Sequence, residues 1–392
     1  MVQYALDDVT DDMILAESIF LPSGELLLAA GYRLKSRYRQ RLKQLGYNTV
    51  AIEVKGTEKI QPEQIISDHL QRELTHAVNV SSQTMLEIIR IRKDGTQTIQ
   101  QIIRENKQRL NSFLHKSGLL QHIETLIDQV LSQPSVVLNM IKLQENQQSL
   151  FTHAIAVTIT ALCLGRVFRF SRDEMKQLAV GAMNYDLGLV AIPAEILKKN
   201  GAFTPEEFEI YKRHTVYGYL MLSQNPAIAA TSAAIALQHH ENQDGKGFPR
   251  GLKGENLLPE KDFLRKNIIH RFAEIVTVAD EYNMMTTGRM CQKVHAKDAI
   301  KVLVEKSGKV FNREIVKRLV SIVPIFPVGS RIRVSKSNDP RQVGLIGVVA
   351  KDNPGNLERP QIILYEDQKR KRLTPLLIDL RMTPEIHIEL IS

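Results

Sequence analysis

"HHENQDGKGFPRGLKG", residues 239–254, places two adjacent histidines in front of a turn-rich, basic stretch. By composition alone, "GKGFPRGLKG" reads as a surface turn, because glycine and proline punctuate it. The leading His239-His240 pair changes that reading, since imidazole nitrogens are ligands for Fe, Mn or Zn. Adjacent histidines on a helix face different directions, so one of them could simply be exposed. The question is whether the rest of the chain supplies partners for them.

Four other places do. His153 lies in "SLFTHAIAVTITALCLG" (149–165), a helix otherwise apolar or small. Asp186 follows Tyr185 at the end of the helix "DEMKQLAVGAMNYD" (173–186). His214 sits in "EEFEIYKRHTVYGYLML" (206–222), and Asp280 in "EIVTVADEYNMM" (274–285). Each has an ordinary reading by itself: His153 as a hydrogen-bonded core histidine, Asp280 as the partner of Arg271. Yet a charged Asp inside an apolar helix is costly to bury without a cation or hydrogen bonds. Two carboxylates and several imidazoles on one helical scaffold make a ligand set, and a metal pair can activate water for phosphoester attack.

In order and wording these segments resemble the HD-GYP family of the HD phosphohydrolase superfamily. Residues 239–254 look like its signature loop almost letter for letter, and "IPAEILKKNGAFTPEEFEIYKRH" (192–214) is similar to the stretch that precedes it. The resemblance spans about 150–325. It implies a mainly α fold, an all-helical HD-type core with a small α+β N-terminal unit and a small C-terminal β domain. It implies hydrolysis of cyclic di-GMP with a divalent metal, Fe or Mn above Zn or Ni, one or two ions. By position it makes His153 and Asp280 ligands of a first metal and Asp186 the bridging aspartate. His214, His239 and His240 become ligands of the second metal. Arg289 matches an arginine that contacts ligand phosphate. Phe248 could stack on guanine as aromatic rings do on nucleobases, and Arg250 falls in the same loop.

The chain also departs from the pattern. Tyr185 stands in place of the histidine of the His-Asp pair, and Leu189 in place of a phosphate-facing lysine. Phe248 replaces the tyrosine of "GYP", and Asn283 replaces a second aspartate. Ser149 supplies no carboxylate for a third metal, so two ions are the ceiling. A neutral phenol is a poor ligand near pH 7, whereas the set Asp186, His214, His239, His240 is complete. One well-held ion, a second site weak or absent, and weak turnover are the expectation. The alternative is a catalytically inactive signalling protein that binds a nucleotide or a protein partner; a third reading is an HD hydrolase for another phosphoester.

Organisation follows texture. Residues 1–55 read as a small α+β unit, with a helix over 36–46 and a strand at "YNTVAIEV", followed by a polar linker. Residues 64–148 carry apolar residues at spacings of three and four, a helical connector suited to a homodimer interface. The metal-binding helices occupy 149–322, and 323–392 is a β domain of short runs separated by Gly, Pro, Asn and Asp. His69, His76, His115 and His122 read as surface or packing histidines. A net charge of +9 suits an anionic phosphoester. "QKRKR" (368–372) is the one compact basic run, and no aromatic-plus-basic motif supports a nucleic-acid polymer as partner. Two cysteines, Cys163 and Cys291, without CxxC spacing fit a reducing cytoplasm. No apolar run approaches the roughly 18–20 residues of a membrane span.

Overall fold

The computed structural model describes residues 1–20, 26–45, 47, 49–60, 65–90, 98–133, 137–138, 150–199, 201–258, 265–289 and 292–391. Ser149, Cys291 and the side chain of His115 lie outside the described residues. The chain is mainly helical, with thirteen α-helices among the described residues and a small C-terminal sheet. It divides into two compact units, Met1–Gln64 with Val137–Asn146 and Ser321–Ser392, and Ile65–Val136 with Gln147–Val320.

In the first unit, β1 (Val2–Ala5) pairs antiparallel with β4 (Thr49–Ile52), Tyr4 opposite Val50. Between them lie β2 (Ile19–Phe20), β3 (Leu26–Leu28) and α1 (Ser36–Gln44). The far end of the chain adds β5 (Arg331–Lys336), β6 (Ile346–Lys351), β7 (Gln361–Glu366), β8 (Arg372–Asp379) and β9 (His387–Leu390), an antiparallel sheet ordered β8-β7-β6-β5-β9. The two ends share one core: Val2, Leu34 and Leu42 pack in the same cluster as Ile332, Val348 and Ile362. The Gln3 N–H donates to the Gly329 carbonyl at 2.9 Å, and Arg331 stacks over the Tyr4 ring while pairing with Asp8. The basic run forms the exposed β7–β8 turn. β8 is a strand that the textures above do not single out. Its Pro375 lacks an N–H and is tolerated because β8 lies at the sheet edge.

The second unit is helical: α2 (Asp68–Arg90), α3 (Ile99–Glu105), α4 (Lys107–Lys116), α5 (Leu119–Ser132), α6 (Leu150–Val167), α7 (Arg172–Met183), α8 (Ala194–Leu197), α9 (Pro205–Ser223), α10 (Ala230–Gln238), α11 (Arg271–Thr287), α12 (Ala296–Glu305) and α13 (Arg313–Ile322). Leu70, Leu74, Ala77, Val78, Met85 and Ile88 give α2 one buried stripe. By contrast, α6 is buried from His153 to Leu164, as an all-apolar helix must be. The helices of 65–132 dock on the later ones through α2, α3 and α5. Arg166 donates to the carbonyls of Val130 (3.0 Å) and Gln133 (2.7 Å), and Arg172 reaches Glu124 and Asp128.

Local signals fix the helices that matter for the site. Ser171 and Glu174 form a capping box at the start of α7. Thr204 and Glu207 do the same for α9, with Pro205 in its first turn. Between α7 and α8 the chain makes a 3-10 turn, Leu187–Ala191, pressed against α9. Gly188 is required there: a Cβ on it would meet the His214 carbonyl oxygen at 1.9 Å. No described helix is long and apolar enough to cross a membrane.

Candidate metal centre

Two helix ends and the middle of a third helix bring the site together. α7 stops at Met183, Asn184 caps it by donating to the Val180 carbonyl at 2.8 Å, and Tyr185-Asp186 fall on the turn that follows. α9 presents His214 from its middle. α10 stops at Gln238, so His239 and His240 lie on its terminal turn rather than inside it. There the backbone bends and both imidazoles turn the same way, with ring centroids 4.2 Å apart. Helical divergence of adjacent side chains does not apply at such an end.

The ligand atoms of His214, His239 and His240 lie within 4.8 Å of one another, a cluster that could hold a metal ion. His214 donates through Nδ1 to the Tyr211 carbonyl at 2.6 Å, and the His239 Nδ1 faces the carbonyls of Ala236 (3.0 Å) and Ile235 (3.2 Å). Their Nε2 lone pairs therefore face inward, 3.3 Å apart, each 3.6 Å from Asp186 Oδ1. Three acceptors pointing at one another repel unless a positive charge sits among them. A proton can serve one pair at most; a cation serves all three. Pinning the outer nitrogen to a carbonyl is also how ligating histidines are oriented. This donor set fits a divalent ion.

Electrostatics agree. Burial would push the Asp186 carboxyl up, but His239, His214 and Arg289 outweigh it and hold it well below the usual carboxylate range. Burial pushes His214 down to about 4 despite Asp186, and His240 well below its ordinary value, so both are neutral ligands at pH 7.

The second carboxylate sits differently. Asp280 Oδ1 accepts from Tyr185 Oη and pairs with His153 Nε2, both at 2.7 Å. Arg271, its alternative partner on sequence grounds, pairs instead with Glu174. Tyr185 is fully buried, its ring edge-on to His239, and burial with Asp186 and Asp280 raises its phenol well above the ordinary value. Arg289 places Nη2 3.7 Å from Asp186 Oδ2. Arg250 stays outside: its guanidinium is exposed and donates to the Lys266 carbonyl. Leu189 packs in an apolar cluster with Ile192 and Ile196, and Asn283 donates to Thr160 and the Ala279 carbonyl. Of the other histidines, His69 and His122 pair with Glu73, and His76 is exposed.

The signature loop closes over the site. The Phe248 N–H donates to the His240 carbonyl at 3.0 Å, and the Phe248 ring stacks on His240 at 4.6 Å. Gly247 allows this by approaching the backbone of 240–242, where a Cβ would meet the His240 oxygen at 2.4 Å. Its smallness thus serves the loop's own fold. Three groups here escape a reading by residue type. Glu241 accepts the N–H groups of Arg250 and Leu252 and so fixes the loop. Glu274 is buried on α11, accepting from Gln243 (2.6 Å) and Asn312 (2.9 Å). Phe208 and Lys212, one helical turn apart on α9, lie against Phe248, the ammonium 5.9 Å from its ring. The i, i+4 spacing of that last pair is visible in the sequence, but nothing there says what it faces.

Known proteins resemble parts of this chain. Residues 135–315 match the HD domain family model. The chain is 25% identical over 303 residues to the cyclic di-GMP phosphodiesterase PA4108 of Pseudomonas aeruginosa, covering 77% of this chain and 65% of that one. It is 36% identical to a cyclic di-GMP phosphodiesterase of Thermotoga maritima, over 37% of each chain. It is 25% identical to the 3'3'-cGAMP-specific phosphodiesterase 2 of Vibrio cholerae, over 40% of this chain and 31% of that one. The chain thus spans between about a third and just under two thirds of these relatives' lengths. Among solved structures it is similar to Bd1817, a HDG"Y"P protein from Bdellovibrio bacteriovorus, with a TM-score of 0.41, 14% identity, and coverage of 81% of this chain and 97% of that one. Over residues 135–315 the chain is thus similar to HD domains, and within that stretch it carries Tyr185 before Asp186 and Phe248 before Pro249.

Proposed function

We propose that the chain is a cytoplasmic, metal-dependent phosphodiesterase that cleaves a cyclic dinucleotide, cyclic di-GMP in the first place, with weak turnover. The observation that carries this is the convergence of Asp186 with the inward-facing Nε2 atoms of His214 and His239, beside His240. Relatives named for cyclic di-GMP and 3'3'-cGAMP support the substrate class. Asp186, His214, His239 and His240 would hold the ion, Fe or Mn first. When bound, it supplies Lewis acidity toward the phosphoester and its attacking water. The protein's own part is positioning. Tyr211, Ile235 and Ala236 carbonyls fix the imidazole orientations. Arg289 brings positive charge to the side of Asp186 away from the imidazoles. Phe248, with Phe208 and Lys212, offers an aromatic and cationic wall of the kind that holds a nucleobase.

A second reading, binding without turnover, is favoured by one specific observation. Leu189 contributes a packed apolar side chain where a cation would offset phosphate, worth a few kcal/mol, roughly, in a water-poor site. Incubating Mn- or Fe-loaded protein with cyclic di-GMP, and in parallel with 3'3'-cGAMP, separates the two. Linear dinucleotide or GMP above the level of a His240→Ala control is the expected result. Calorimetric binding without any product would leave only the second reading.

A further inference from the structure

The two oxygens of Asp186 face different partners. Oδ1 lies 3.6 Å from the Nε2 atoms of His214 and His239, whereas Oδ2 lies 3.7 Å from the Arg289 guanidinium. Arg289 is itself largely buried, its side chain 13% exposed. A buried guanidinium opposite a buried carboxylate is a permanent cation, since arginine stays protonated in proteins. The other acid is held at one oxygen. Tyr185 and His153 both hold Asp280 Oδ1, each at 2.7 Å.

His153 also lacks the support that a ligand needs. His214 and His239 each turn Nδ1 to a backbone carbonyl and leave Nε2 free. His153 does the reverse: Nε2 is engaged with Asp280, and the buried Nδ1 has no hydrogen-bond partner among the described residues. Ligating histidines are oriented through their second nitrogen, so His153 is held as a hydrogen-bonding residue. The donor set His153, Tyr185 and Asp280 therefore does not fit an ion, while the set across Asp186 does.

We propose that Arg289 and Tyr185 take the place of a first metal ion, making the centre mononuclear: one ion on Asp186, His214, His239 and His240, with the guanidinium compensating the outer carboxylate oxygen and the phenol satisfying Asp280. The charges agree. Two carboxylates against one guanidinium and one dication leave a single positive charge to meet a phosphate. A second dication would add two more in a buried site, where uncompensated charge is expensive. Tyr185 and Arg289 thus act as positioning residues that set metal count. This rests on the metal centre argued above.

The test is metal stoichiometry of the full chain, stripped with chelator and reloaded with Mn²⁺, by elemental analysis and electron paramagnetic resonance. The wild type binds one ion per chain and gives the spectrum of isolated Mn²⁺. Two ions with a spin-coupled spectrum would overturn the inference while leaving the metal centre intact; no bound ion would overturn both. Tyr185→His combined with Arg289→Ala, which restores a ligand and removes the cation, raises the count to two. Tyr185→Phe and Arg289→Lys each stay at one. A folded double variant that stays at one would reject these residues as the cause, and the wild-type spectrum decides the count even if that variant fails to fold.

Discussion

Asp186, His214, His239 and His240 are legible one residue at a time only as types: imidazoles and an acid in apolar surroundings. Their order along the chain, not any single position, points to a shared ion. Tyr185 is legible as an anomaly, but its role is not, because its partner Asp280 lies ninety-five positions away. Glu274 carries no signal of its own, since an acid in the first turn of a helix ordinarily complements the helix dipole in solvent. Here burial outweighs Gln243 and Asn312 and pushes its carboxyl from 4.5 up to about 7. A carboxyl raised on folding stabilises the protein fully below its unfolded value, and that contribution is lost as pH rises through the folded one. Glu274→Gln should therefore leave the urea midpoint near pH 4.5 little changed and raise stability at pH 8 by roughly 2–3 kcal/mol relative to wild type. Equal pH profiles for variant and wild type would contradict this.

At the scale of elements, apolar spacing predicts most helices, and it does so because burial rather than propensity decides them. The amphipathic α2 and the all-apolar α6 both follow their patterns. Helix ends are less legible and matter more. That α10 stops at Gln238 is what turns His239 and His240 to one side. The stop follows from tertiary contacts, with the His239 carbonyl taken by Thr277 of α11 at 2.8 Å and the Gln238 side chain accepting the His270 N–H at 2.7 Å. Neither partner is local in sequence. The glycines of the site are legible as turn residues, yet Gly188 and Gly247 act by permitting close backbone approach. β8 escapes recognition because proline and consecutive leucines hide the alternation, and an edge strand does not need it.

For the whole molecule, the helical class and the small β segment are readable, but the pairing of the two chain ends in one core is not. It rests on contacts between residues more than three hundred positions apart, such as Arg331 with Asp8, which no local pattern encodes. If that core is one cooperative unit, Ile332→Ala, at a fully buried position, should cost about 2–5 kcal/mol. Amide exchange of β1 and β4 should then speed up together with that of β5 to β7, while α6 stays protected. Unchanged exchange in β1 and β4 would show that the ends fold separately. The most direct measurement concerns the centre itself: X-ray absorption of the metal-loaded protein. Multiple scattering from about three imidazoles per ion, falling to about two in His240→Ala, is the predicted result, and an oxygen-only environment without imidazole scattering would contradict it.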